Sequence, residues 1–312
     1  MYGNADVACK DADVVCKDAD VDTCGDVVCK DTDNTADNVK RVPTFTCNPT
    51  YLSRTAYTKL LEIISTQGYG HLDDFTRDAY HKDAADIGVT AEIANSVRSI
   101  ALKHKIICKY PIINRKIRKL RAEYMRDDIT VVAARYDFPP VSLLREIMKT
   151  YYKQATVKLA FSKRELSGFK PRDRDQYYLA SKFDAESGFD SSVVAAKAQL
   201  AEDNFVACFS HCKIKSQADL VAEDMLKYGR AVNTPDILFI EPILVNDIAV
   251  HWIDYKDYVL TDMFILRSNL KQARRYVNEW GVGALVYRGA VLEDVASSGI
   301  MFLTRDCFQT SI

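Results

Sequence analysis

Asp236, Asp254 and Lys256 stand at the ends of two apolar runs within the 23 residues Thr234 to Lys256, and the polar pair Asn246-Asp247 separates the runs. Side chains two apart on a strand share a face, so Asp254 and Lys256 project together while Ile253 and Tyr255 point the other way. A hairpin turn near Asn246 and Asp247 folds the second strand back along the first and brings Asp254 towards Asp236. Two carboxylates and an ammonium then converge. Carboxylate oxygens suit a hard divalent cation such as Mg2+, and a lysine beside a phosphate or an attacking water points to metal-assisted phosphodiester hydrolysis. In a chain with 27% charged residues an Asp-x-Lys triplet alone means little. Here, however, Asp254-Tyr255-Lys256 is the one Asp/Glu-x-Lys triplet and Pro235-Asp236 the one Pro-Asp pair. The competing reading is a hairpin whose charged ends are merely solvated.

The neighbouring segments would position these groups. Pro242 predicts a bulge or an edge in the first strand, and His251 and Trp252 read as packing groups. A helix expected over 193–211 carries Glu202, one element ahead of the hairpin, where it could face the cluster. Cys208, His211 and Cys212 on the same helix read as core thiols and a partly buried histidine rather than a metal site. A helix expected over 263–280 presents Gln272 and Tyr276 at i, i+4 on one face. Gly281-Val282-Gly283 then turns into an apolar strand, Ala284 to Tyr287, and a last strand is expected near Ile300 to Thr304. Helix, strand, strand, helix, strand describes a small α/β sandwich over 190–312.

Upstream the pattern is helical. Leu60, Ile63 and Ile64 make one apolar face, and Leu72, Phe75 and Ala79 another. Thr90 can cap a helix with the stripe Ile93, Val97 and Ile100. Ile129, Val132 and Ala133 lead through Asp137-Phe138-Pro139-Pro140 to Val141, Leu144, Ile147, Met148 and Tyr151. These are two helix-turn-helix-like units within residues 50–160. Between them the basic run 103–126 includes Arg115, Lys116, Arg118 and Lys119, and Arg145, Lys149 and Lys153 recur every four residues. Such cations are either solvated faces or phosphate contacts. From Lys163 to Asp190 the periodicity weakens, as expected between domains, with a short ordered element near Tyr177 to Phe183.

Residues 1–45 stand apart. ADVACKD, ADVVCKD and DVVCKD recur there, and the composition reads as a disordered acidic tail. Residues 1–40 hold ten Asp and four Lys, a net charge of −6, which leaves 38 basic and 33 acidic groups on the rest of the chain, a net of +5. A mildly basic body is compatible with nucleic acid. The length of 312 residues suggests two compact domains. No apolar run is long enough to span a bilayer and the N-terminus lacks signal-peptide character, so a soluble intracellular protein without membrane partners is expected. Nine cysteines without a Cys-x-x-Cys pair outline no disulfide framework.

The order of a helix Glu, an Asp at a strand start, Asp-x-Lys at the next strand end and a Gln-x-x-x-Tyr helix resembles the PD-(D/E)xK nuclease superfamily. Within it, Thr234-Pro235-Asp236, His251-Trp252-Ile253, Gln272 to Tyr276 and Trp280-Gly281-Val282-Gly283 look like the TPD-motif family that includes the codanin-interacting nuclease. The resemblance is strongest over about 190–308, and helix-turn-helix units ahead of the nuclease domain also fit it. It implies an α/β, restriction-endonuclease-like mixed-sheet core behind an all-α region, and a Mg2+- or Mn2+-dependent nuclease acting on DNA in the nucleus, with cytoplasmic residence also open. Glu202, Asp236 and Asp254, with the Tyr255 carbonyl, would hold the metal; Lys256 would orient water or offset developing charge; Gln272 and Tyr276 would line the site. Asp203 beside Glu202 competes for its role. The family usually has Glu where this chain has Asp254, and the alternative it implies is a catalytically weak or inactive nuclease-fold scaffold that binds a codanin-like partner.

Overall fold

Asn246 and Asp247 both take positive φ, 49° and 63°, the two left-handed residues that a two-residue hairpin needs if its twist is to match the strands. The computed structural model describes residues 42–67, 70, 72–184, 191–261 and 264–308; the acidic repeats lie outside the described residues. In it β1 (Thr44–Phe45) and β2 (Tyr51–Leu52) precede the helices, and the hairpin joins β3 (Ile237–Val245) to β4 (Ile248–Lys256). The expected irregularity at Pro242 is present, as a register shift between Leu238 and Ile243. Beyond the hairpin come β5 (Gly283–Tyr287), β6 (Val291–Leu292) and β7 (Ile300–Thr304). The main sheet has the order β1-β3-β4-β5-β7, antiparallel only between β3 and β4, and β2 pairs in parallel with β6.

The helices in chain order are α1 (Arg54–Thr66), α2 (Asp74–Asp86), α3 (Ala91–Arg115), α4 (Ile117–Tyr124), α5 (Ile129–Arg135), α6 (Pro140–Met148), α7 (Gln154–Lys163), α8 (Pro171–Ser181), α9 (Ser191–Ala207), α10 (Gln217–Tyr228) and α11 (Phe264–Trp280). Strand alternation assigns α9 and α11 to opposite faces of the sheet. Ile253 and Tyr255 share a core with Phe205 and Phe209 from the α9 side. Trp252, the residue before, shares one with Ala273 and Tyr276 of α11. Gly283 is required here: a Cβ would stand 2.1 Å from Trp252 Cε2, and only its absence lets the indole lie on β5 while Nε1 donates to Gly281 O at 3.0 Å.

The helical residues pack in two cores. Leu52, Leu60, Tyr80, Ile93 and Val97 bury together with Val259, Ala290 and Leu292, so α1 to α3 share a core with C-terminal residues. The amide of Val259 donates to Ser96 Oγ at 3.0 Å. Thr90 caps α3 as expected, accepting from the Ile93 amide at 3.4 Å. Of the apolar face expected from Leu72, Phe75 and Ala79, Leu72 packs against this core, whereas Ala79 is exposed and Phe75 is 85% exposed; Tyr80 and Ala84 are the residues that α2 buries. α2 starts at Asp74, capped by Asp73, so Leu72 lies before the helix and forms no helical face with Phe75 and Ala79.

The second core is built by the C-terminal part of α3, through Ile113, and by α4 to α8. α2 and α3 follow one another across Gly88, and α5 and α6 across Tyr136 to Pro139. In the second pair, however, every residue of α6 except Arg145 is buried. That helix is the centre of a bundle and presents no face to a DNA groove. The segment 163–181, expected to lie between domains, is part of the same bundle: Leu166, Phe169, Tyr177 and Ala180 are core residues. Its weak periodicity arises because α8 buries polar groups. Asp173 accepts hydroxyl hydrogen bonds from Tyr124 (2.7 Å), Tyr151 (2.9 Å) and Tyr152 (2.8 Å). Gln176 Oε1 accepts from the Ile129 amide at 2.7 Å.

Candidate active site

The start of β3 is held by α10, which the apolar pattern alone does not reveal. Ser216 caps α10 by accepting from the Asp219 amide, and Gln217 Nε2 then donates to Pro235 O at 2.6 Å and Asp236 O at 3.0 Å. Asp224, at the far end of the same helix, accepts from the Val232 and Asn233 amides. The turn Thr234-Pro235-Asp236 is thereby fixed from both sides. Ser216 and Asp219 form the Ser-x-x-Asp start signal of a helix, so the sequence did hold a sign of this element.

With the turn fixed, Asp236 reaches across to the neighbouring strand, where its Oδ2 accepts from the Tyr255 amide at 2.6 Å. Register places Ile237 opposite Ile253, so the carboxylate lies beside Asp254 and Lys256. Asp254 is buried, and Lys256 Nζ approaches its Oδ2 to 2.5 Å. The ammonium is the polar partner of this buried carboxylate oxygen. Tyr255, pointing to the other face, stacks on Phe205 of α9 with ring centroids 4.7 Å apart.

Burial sets the electrostatics of this group. Asp236 is pushed up to about 8, first by loss of solvent, then by the charges of Asp254 and Glu202, against the opposing pull of Lys256 and the Tyr255 amide. Burial likewise raises Asp254, and Lys256 works against it. For Lys256, burial alone would favour the neutral amine; Asp254 and Asp236 outweigh it and hold the ammonium. Asp236, Asp254 and Lys256 thus share one buried site, on which Glu202 acts through its charge.

The sequence-derived site residues fall as follows. Asp236, Asp254 and Lys256 converge. Glu202 is half-buried on α9, accepts from Gln199 Nε2 at 3.3 Å and acts on Asp236 through its charge. Asp203 is exposed and bonded to Gln199. On α11, Gln272 Nε2 donates to the buried Tyr276 hydroxyl at 2.6 Å. The Tyr276 ring packs edge-on against Trp252, and burial, then Asp254, raises its phenol. Three further polar groups escape the motif reading. Asn269 Nδ2 donates to Tyr258 Oη (2.8 Å) and Tyr287 Oη (3.1 Å), and the charges of Lys256 and Asp254 act on Tyr258. Asn269 precedes Gln272 by three and Tyr276 by seven residues, the helix-face spacing that could have found it.

The donor set suits a hard cation. The charges of Asp254 and Glu202 raise Asp236, a repulsion that Mg2+ or Mn2+ would relieve, and the donors offered are carboxylate oxygens. Among the described residues, no three His, Cys, Asp or Glu side chains are gathered closely enough to ligate an ion together, so the protein's contribution centres on the Asp236 and Asp254 pair. Cys208, His211 and Cys212 follow α9 in turns rather than on the helix, and His211 is exposed.

The basic residues are mostly engaged. Lys116 lies over the Tyr136 ring, Lys119 is 3.8 Å from Glu123, and Arg145 and Lys149 both approach Glu146. Arg145, Lys149 and Lys153 do not share one helix edge: α6 ends at Met148, and Lys153 is the residue immediately before α7. Arg115 and Arg118 are exposed.

The state of Asp236 makes stability depend on pH. Between its unfolded value near 3.8 and its folded value of about 8, the folded chain holds a proton that the unfolded chain has released. Stability therefore falls as pH rises through that window and levels off above it. Asp236→Asn keeps the acceptor for the Tyr255 amide but cannot ionise. We expect it to match the wild type near pH 4 and exceed it by about 2–4 kcal/mol at pH 8.5 without metal, measured by urea denaturation. A variant equally or less stable at pH 8.5 would contradict the assignment.

Among the described residues no helix is long and apolar enough to cross a membrane. No curated protein and no solved structure matches the chain. Residues 184–308, which carry every group of this site, match the family described as protein of unknown function, TPD sequence-motif.

Proposed function

We propose that the protein is a divalent-metal-dependent nuclease that hydrolyses phosphodiester bonds in DNA, on a restriction-endonuclease-like core of the PD-(D/E)xK type. The observation that carries this reading is the buried group of Asp236, Asp254 and Lys256 at one end of an antiparallel pair inside a mixed sheet, where two carboxyl groups and one ammonium converge. Asp236 and Asp254 would hold Mg2+ or Mn2+, assisted by Glu202 and the Tyr255 carbonyl. Bound there, the ion supplies a Lewis acid for a phosphoryl oxygen and a more acidic water. Lys256, kept cationic by both aspartates, offsets negative charge developing on the phosphoryl group. Gln272, fixed by Tyr276, borders the same face and positions substrate. Arg115 and Arg118 are exposed cations for the backbone, and DNA as substrate implies residence in the nucleus.

The test is a labelled DNA duplex incubated with the protein in Mg2+ or in EDTA. Cleavage confined to Mg2+ is expected; intact duplex in both removes the reading. One observation favours a second reading. Lys256 is paired with Asp254, as in a site whose charges have settled into an internal ion pair. A nuclease-fold scaffold that binds a codanin-like partner accounts for that pair, and predicts partner binding that Asp254→Asn leaves unchanged.

A further inference from the structure

With α6 enclosed in its bundle and most cations of the 103–126 run bound to acids or rings, a nuclease needs another surface to hold its substrate. α11 carries one. Arg267, Lys271 and Arg274 follow at i, i+4 and i+7, and at 3.6 residues per turn they fall within about 60° of one another on the helix. Asn269, Ala273 and Tyr276, the face turned to the sheet, lie about 180° away. All three cations are exposed. Among the described residues none of their side chains has a hydrogen bond, ion pair or ring contact, in contrast to Lys105 and Lys109 on Asp137 or Lys227 on Glu279.

We propose that the outward stripe Arg267, Lys271 and Arg274 of α11 is a contact surface for the phosphate backbone of a nucleic acid. The inference rests on the nuclease reading for its partner class. The stripe spans about 10 Å of helix axis, and a DNA strand presents a phosphate about every 3.4 Å of its own axis, so each cation can meet a separate phosphate. Charge left without a protein partner is the charge that can release counterions on binding. A membrane surface fits less well. A helix that lies on lipid pairs its cations with an exposed apolar face, whereas the apolar face of α11 is spent on the sheet and the stripe is flanked by exposed Ser268 and Asn278.

The test is the salt dependence of binding to a fluorescent 30-base-pair duplex in EDTA, so that nothing is cleaved. Replacing all three residues by Ala should reduce the slope of log K against log salt by about three and weaken binding about 100-fold at low salt, with the melting temperature unchanged. Arg267→Lys, Lys271→Arg and Arg274→Lys together should retain the wild-type slope. A wild-type slope in the triple-Ala protein overturns the proposal, as does a wild type that shows no salt-dependent binding. Loss of binding to phosphatidylserine vesicles with the DNA slope intact also overturns it, in favour of a membrane. Failure of the nuclease reading is separable: a wild type that binds through the stripe but cuts nothing in Mg2+ leaves the stripe standing, whereas cleavage with an unchanged slope does the reverse.

Discussion

Asp254→Asn is expected to lower Mg2+-dependent cleavage about 100- to 1,000-fold while leaving the protein folded. The magnitude is that of removing one preorganised electrostatic contact from a reaction whose charge develops on phosphoryl oxygens. The stability expectation follows from burial. Asp254 is held above the usual carboxylate range by loss of solvent, so its ionised form strains the apo protein, and an amide of the same shape relieves that strain. Lys256 keeps Asp236 as a counter-charge. Lys256→Ala is a harsher change, because it leaves Asp254 buried without its ion-pair partner; its loss of activity would be mixed with loss of fold. Initial cleavage rates, with melting curves on the same samples, check the prediction. Cleavage by Asp254→Asn within threefold of wild type would remove Asp254 from the chemistry.

Asp173→Ala is expected to destabilise the helical bundle by about 3–5 kcal/mol, because three buried or half-buried tyrosine hydroxyls lose their shared acceptor at once. Asp173 is 3% exposed. It joins α4, through Tyr124, to the turn after α6, through Tyr151 and Tyr152. Arg172 adds a second tie by donating to Tyr124 O at 2.7 Å. Asp173→Asn keeps an acceptor on one oxygen position and should cost less, about 1–2 kcal/mol. Denaturant midpoints of the two variants check this; equal losses for Ala and Asn would mean that the carboxylate geometry is not what holds the bundle.

How legible all this was in the sequence depends on the kind of signal. The hairpin was fully legible, since Asn246-Asp247 between alternating strands specifies its turn and register, and Pro242 specifies its irregularity. The convergence of Asp254 with Asp236 followed from that register. Helices with clear apolar faces and caps, such as that starting at Thr90, were legible for the same reason. Three things were not. β1 and β2 are two residues each, too short for any periodicity, and they enter the structure only through partners about 200 to 240 residues away. α8 buries Asp173 and Gln176, so a pattern based on apolar residues reads it as weak. And whether a basic residue is available to a ligand depends on acids from elsewhere in the chain: Lys105 and Lys109 are engaged by Asp137, while among the described residues Arg267, Lys271 and Arg274 of α11 have no such partner. The polar second layer of Asn269, Tyr258 and Tyr287 was half-legible, on the right face of the right helix but outside the motif.

A metal-dependent site requires that Asp236 and Asp254 together take up a divalent ion. Calorimetric titration of the full chain with Mn2+ at pH 8 measures this without reference to any substrate. One site per chain is predicted for the wild type, with binding lost in Asp254→Asn and in Asp236→Asn. Binding of equal strength in all three proteins, or none in the wild type, would contradict it.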